Sequence, residues 1–186
     1  MKMDVNKISK MGVLSALAIV LMYLIRFPLI PSAPFLIYEP ADVPILIGAF
    51  LYGPVSGLII TVVVSVIQAL TASADGWVGA VMHIIATGAF VIVAGIIYKK
   101  VHTLKGAIIA LVSGSITMTL VMIPLNLFIT SKFLNVPVEV VKSMLIPAII
   151  PFNILKAGIN SIITAAVYKA AGKILRAENT ASLKRV

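Results

Sequence analysis

Apolar residues run along this chain in long uninterrupted stretches, and charged residues collect in the gaps. The first stretch covers residues 11–25, fifteen uncharged and mostly apolar positions between Lys10 and Arg26. With Arg26 snorkelling and Phe27 added, it is long enough to cross a bilayer. A basic start before an apolar run also opens a secretory signal, but no clean small-residue cleavage site follows here. Residues 27–44 have a different texture. Pro28, Pro31, Pro34, Pro40 and Pro44 interrupt them, and proline removes backbone donors and forbids regular helix. An ordered, apolar, non-helical loop is expected there.

Residues 43–74 then give 32 uncharged positions, broken at Gly53-Pro54. Two full spans need about 40 residues. The stretch is therefore either one long kinked helix or two short helices joined at Tyr52-Gly53-Pro54. Further apolar runs cover residues 77–98, 106–131 and 144–168. Charge decides between the alternatives. Two crossings give six spans and put Lys2, Lys7, Lys10, Lys99, Lys100, Lys105, Lys169, Lys173, Arg176, Lys184 and Arg185 on one side. Arg26, Lys132 and Lys142 fall on the other. One crossing divides the same residues 5 against 9. The excess of Lys and Arg in cytoplasmic segments favours the first arrangement. Glu39, Asp42, Asp75 and Glu139 then lie outside, although acids orient weakly. The expected fold is an all-α membrane protein with six transmembrane helices, both termini cytoplasmic, and a Pro-rich outer loop between helices 1 and 2. Residues 1–186 are read as a single domain, and the two short helices are expected to tilt or to begin inside the loop.

Composition supports a plasma-membrane protein embedded in the lipid bilayer. Hydrophobic residues make up 61% and charged ones 11%, against roughly 25% charge in a soluble domain. No alternating strand pattern points to a membrane barrel. A net charge of +9 would suggest nucleic acid in a soluble protein. Here the basic residues stand at the ends of apolar runs and orient the chain, so no nucleic-acid partner is expected. The absence of cysteine excludes disulfides, thiolate metal sites and a cysteine nucleophile.

Polar groups inside a membrane are costly and mark functional positions. The last span carries Asn153, Lys156 and Asn160, spaced three and four apart and so on one helix face. Lys156 sits near mid-span, too deep to snorkel easily, and needs an acceptor: a ligand, Glu39 or Asp42, or a carbonyl freed by Pro151. The fifth span carries Pro124 and Asn126, whose amide can serve a freed carbonyl or a solute. Gln68, Thr71, His83 and Thr87 either line the same cavity or bond between helices. Trp77 reads as an anchor at the membrane surface. Gly12 and Ala16, four apart on span one, and Gly53 and Gly57 allow close helix approach. The chain lacks the spacing of a zinc protease, a phosphate loop or a serine hydrolase elbow. It therefore reads as neither an enzyme nor a pump that hydrolyses ATP itself.

The run Leu36-Ile37-Tyr38-Glu39-Pro40-Ala41-Asp42-Val43-Pro44, the run from Ile47 to Gly57, and Pro151-Phe152-Asn153-Ile154-Leu155-Lys156 resemble the substrate-binding S components of energy-coupling-factor (ECF) vitamin transporters. Within that family the chain is most similar to the riboflavin-specific type. The resemblance implies a high-affinity riboflavin-binding subunit with no resident cofactor, the flavin being transported ligand. It implies an outward-facing pocket capped by the loop between spans one and two, with a T component and two ATPase subunits as partners. It assigns ligand contacts to Leu36, Tyr38, Glu39, Asp42, Asn126, Phe152, Asn153 and Lys156. T-component docking would use Gly12 and Ala16, where the family usually has Ala-x-x-x-Ala.

An apolar slot with a few donors and acceptors suits the flavin rings and ribityl hydroxyls. Biotin and pantothenate, whose carboxylates Lys156 would suit, stay open as alternative vitamins, whereas Lys156 argues against cationic thiamine. A lipid-acting enzyme would need a cluster beyond Glu39 and Asp42. A non-transporting helical scaffold would pair Asn153 and Lys156 internally and leave no pocket.

Overall fold

The structure, a computed structural model, describes residues 5–71 and 76–183, with side chains through Tyr168 and at Ala170. Lys2, Asp75, Lys184 and Arg185 lie outside the described residues, as do the side chains of Lys169, Lys173 and Arg176. Hydrocarbon offers backbone groups no partner, so apolar runs fold as helices that satisfy their own N–H and C=O groups. The chain is all-α apart from one two-residue strand pair.

Helix α1 is Val5–Leu24. Strands β1 (Phe27–Pro28) and β2 (Ile37–Tyr38) pair antiparallel in the proline-rich loop. Helix α2 (Asp42–Tyr52) and α3 (Pro54–Thr71) follow, then α4 (Gly76–Lys100) and α5 (Leu104–Leu125). A π-helical turn over Asn126–Thr130 continues α5 into the short α6 (Ser131–Phe133). Likewise α7 (Val138–Met144) passes through a π-helical turn at Leu145–Ile149 into α8 (Ile150–Leu183).

Among the described residues, five helical segments are long and apolar enough to cross a membrane, and α2 is a shorter apolar sixth. The stretch over residues 43–74 is thus two helices, as one of the alternatives expected. The break is at Gly53, whose φ of 91° suits glycine and whose N–H still reaches Ala49 O at 2.9 Å. Pro54 opens α3, where its missing donor costs nothing. The 11 residues of α2 rise only about 16 Å, half a bilayer core. The β1–β2 pair was not expected, because two-residue strands carry no alternation to read.

Antiparallel helices give the bundle two ends. Lys7 Nζ donates to Tyr52 O at 3.2 Å, so α1 begins where α2 finishes. Tyr168 of α8 meets Tyr98 of α4 and Phe50 of α2 at that same end. The starts of α1 and the finish of the last span therefore share one end, opposite the loop.

Small residues set the packing. A Cβ on Gly57 would fall 2.7 Å from the Ala49 side chain and closer still to Val91, so α3 sits tightly on α2 and α4. Gly95 brings α4 equally close to Pro54. The main core runs through Met22, Ile45, Ile60, Val64 and Phe90. A second cluster joins the loop (Ala33, Leu36, Tyr38) to Val141, Ile149 and Phe152, which makes the loop a packed cover. The hydroxyls of α3 solve the membrane problem locally: Ser56, Thr61 and Ser65 each donate to the carbonyl four residues back, at 2.7–2.9 Å.

Candidate functional site

A cavity of about 140 Å³ opens beneath the loop, between α3, α4, α5 and α8. That is roughly ten times what one water needs. The loop contributes Phe35, Leu36, Ile37 and Glu39; α5 contributes Met118, Met122 and Asn126; α8 contributes Phe152, Asn153 and Lys156. Gln68, Met82, His83 and Arg26 complete much of the wall.

Prolines shape the two helices that carry the amides. Pro124, inside α5, cannot bond the carbonyl four residues back. The π-helical turn follows immediately, and such turns re-aim side chains. Asn126 Nδ2 donates to Met122 O at 2.8 Å, and Asn126 Oδ1 accepts from Thr130 Oγ1 at 3.0 Å. Asn153 follows the second π-helical turn, next to Pro151. Its Nδ2 donates to Ile149 O at 2.8 Å. Its Oδ1, though buried, has no hydrogen-bond partner among the described residues. One amide is closed on itself; the other keeps an acceptor in reserve. An unsatisfied buried acceptor costs about 1–3 kcal/mol, and a ligand N–H or O–H would remove that cost.

Lys156 stands one turn beyond Asn153. Its Nζ lies 3.9 Å from Glu39 Oε1, an ion pair too long for a hydrogen bond. Both oxygens of Glu39 accept from Gln68 Nε2, at 2.8 and 3.0 Å. The loop carboxylate is thus anchored to α3 and faces the α8 ammonium across the cavity edge. The pair balances charge and leaves the ammonium with donor capacity.

Tyr38 and Asp42 are bonded into the bundle. Neither lines the cavity. Tyr38 OH donates to Asn160 Oδ1 at 3.0 Å, and Asn160 Nδ2 donates to Asp42 Oδ2 at 3.0 Å. Asp42 Oδ1 accepts from Thr87 Oγ1 at 3.1 Å and sits 3.0 Å from His83 Nε2. His83 Nδ1 lies 2.8 Å from Ser65 Oγ. A carboxylate buried to this depth has to be fully paired, which is why Asp42 turns into the bundle. Burial, then the Asp42 charge, pushes the Tyr38 phenol above its ordinary value, so it remains a donor at neutral pH. Asn160 shares a helix face with Asn153 and Lys156 but serves this network behind the wall.

Of the expected contacts, the cavity brings together Leu36, Glu39, Asn126, Phe152, Asn153 and Lys156. Gln68 and His83 line it too; Thr87 belongs to the network, and Trp77 is more than half exposed outside the cavity. Arg26, Met82, Met118, Met122, Thr130 and Phe133 were not anticipated. Stepping back by fours from Asn126 finds Met122 and Met118 on the same face of α5. Gly12 and Ala16 are exposed along α1, and a Cβ on Gly12 would meet nothing within 4 Å.

A family model described as ECF transporter, substrate-specific component, matches residues 6–168. The chain belongs to that family. It is 31% identical to the riboflavin transporter RibU of Staphylococcus aureus over 95% of this chain and 96% of the relative. It is 29% identical to the riboflavin transporter FmnP of Bacillus subtilis, over 89% of this chain and 92% of the relative. A solved structure of the S component of a bacterial ECF transporter matches with a TM-score of 0.80 at 32% identity, covering 91% of this chain and 97% of that one. This S component is a membrane transport subunit and not an enzyme.

Proposed function

We propose that this S component binds riboflavin in the cavity beneath the loop and takes it into the cell with an ECF energising module. The observation that carries the reading is the cavity's chemistry: apolar walls, one acceptor held open on Asn153, and one donor held on Lys156. Riboflavin offers an apolar ring system whose uracil-like edge both donates and accepts, and a hydroxylated chain. The S. aureus and B. subtilis relatives are named riboflavin transporters. Leu36 and Phe152 supply apolar wall, Asn153 accepts, Lys156 donates, and Asn126 and Glu39 hold the shape and charge of the rim. Glu39 already supplies the counter-charge to Lys156. A neutral vitamin therefore enters without a charge mismatch, which favours riboflavin over biotin and pantothenate. Purified protein that quenches riboflavin fluorescence supports the reading. Protein that leaves it unchanged, while binding biotin or pantothenate, overturns it.

The partners of this reading are a T component and two ATPase subunits, with Gly12 and Ala16 on the docking face. Both are exposed, and they border an apolar groove with Met11 and Ile19 of α1 and Ile59 and Val63 of α3. Among the described residues, Lys7, Lys10, Lys99, Lys100 and Lys105 mark the end opposite the loop, against Arg26, Lys132 and Lys142 at the loop end. That asymmetry supports a cytoplasmic location for both termini. Gly12→Leu is expected to spare riboflavin binding and reduce uptake by the assembled transporter to background. Normal uptake would remove α1 from the docking face.

A further inference from the structure

We propose that the buried chain Tyr38–Asn160–Asp42–His83 positions the loop over the cavity and sets how long a ligand stays, without Tyr38, Asn160 or Asp42 touching it. This inference rests on the cavity being the ligand site.

Three observations converge on it. First, the chain ties four separate elements. Tyr38 lies on the loop strand β2, Asn160 on α8, Asp42 at the start of α2, and His83 on α4. The link extends to α3 through Ser65. The helices forming most of the cavity wall are thereby joined to the cover at one point. Second, every polar atom of the link is committed. Asn160 spends its oxygen on Tyr38 and its nitrogen on Asp42. Both Asp42 oxygens are taken by Asn160, His83 and Thr87. Tyr38, Asp42 and Asn160 are 4%, 0% and 0% exposed. In a dry interior such a network is all or nothing, since losing one member strands the next. Third, Glu39 ties the loop to Gln68 and Lys156, but the loop's own backbone holds it weakly. Its backbone pairing is a two-residue hairpin, Phe27 with Tyr38 and Pro28 with Ile37, and two-stranded hairpins are marginal alone. The Tyr38 ring packs against Phe27 across that hairpin at 5.4 Å. The hydroxyl beyond the ring fastens the pair to α8.

Glu39, the neighbour of Tyr38, is the loop's acidic cavity group. Fixing Tyr38 supports, together with the two bonds from Gln68, the place where the Glu39 carboxylate meets Lys156. The network acts on the ligand through the cover and through this ion pair.

The test measures two quantities on the full chain in detergent. Amide hydrogen exchange of residues 29–38 in ligand-free protein reads the cover directly. Stopped-flow release of riboflavin reads it through the proposed ligand. Tyr38→Phe removes one hydroxyl and keeps the ring. It is expected to speed loop exchange and to release riboflavin roughly 2- to 12-fold faster, the effect of one net hydrogen bond, while lowering the thermal midpoint no further than the loss of one buried hydroxyl bond does. Asp42→Asn sets two amide groups against each other, and Asn160→Asp sets two carboxylates together; each is expected to exceed Tyr38→Phe. The double exchange Asp42→Asn with Asn160→Asp restores every donor to an acceptor and is expected to slow both rates toward wild type. Unchanged exchange and release in Tyr38→Phe would overturn the proposal. So would a doubly exchanged protein no better than its singles, or release equally fast in Tyr98→Phe, which loses a comparable hydroxyl at the far end of the bundle. If wild-type protein binds no riboflavin, the ligand reading falls and loop exchange alone decides the latch.

Discussion

The two ends of the bundle satisfy their polar groups in opposite ways. At the end away from the loop, Tyr98 donates to the Tyr168 hydroxyl at 2.8 Å, and Phe50 stacks on Tyr98 with ring centroids 4.3 Å apart. Tyr168 closes edge-on against both rings. Aromatic pairs of this geometry contribute about 0.5–1.5 kcal/mol beyond burial. That end is sealed by an aromatic cluster whose hydroxyls pair with each other. At the loop end, Asn153 holds an unused acceptor, and Lys156 and Glu39 stand 3.9 Å apart without hydrogen bonding. Both helices bearing the amides are interrupted there by proline and π-helical turns. The contrast shows where the chain gives up stability. Two buried side-chain atoms lack a partner among the described residues: Asn153 Oδ1 at the cavity, and Thr164 Oγ1 one turn from Tyr168 and outside it. A binding protein with one entrance needs this division.

The division can be broken at either end separately. Lys156→Ala is expected to have the largest effect. It removes a charged donor and strands Glu39, so riboflavin affinity should fall by about 1.5–3 kcal/mol, roughly 10- to 150-fold. Fluorescence titration measures this, and equal affinity would take Lys156 out of the site. Tyr98→Phe is expected to do less and to do something different. It removes one buried hydroxyl bond at the sealed end, lowering stability by about 1 kcal/mol. A thermal melt should report that loss while the riboflavin titration stays at wild type. A binding defect in Tyr98→Phe would mean that the two ends are coupled.

The helices were legible because a bilayer imposes long apolar runs, and the break at Gly53-Pro54 was legible because proline and a positive-φ glycine leave a mark. The α8 amide and ammonium were legible from their cost in hydrocarbon. The strand pair at Phe27 and Tyr38 was not, since a two-residue strand has no period. Proline positions announced disturbed helices at Pro124 and Pro151, but not the π-helical turns that aim Asn126 and Asn153. The inward turn of Asp42 was hidden for another reason. Its partners His83 and Asn160 lie 41 and 118 residues away, and only the folded bundle brings them together. Sequence distance hid these partners, which pair Asp42 fully at the start of α2.

The most direct test is the riboflavin dissociation constant of wild-type protein beside that of Asn153→Ala. The open Asn153 oxygen predicts tight binding by wild type and about 2- to 12-fold weaker binding by the variant, the range of one neutral hydrogen bond, with no loss of thermal stability. Identical affinities, or no binding by wild type, would contradict the account.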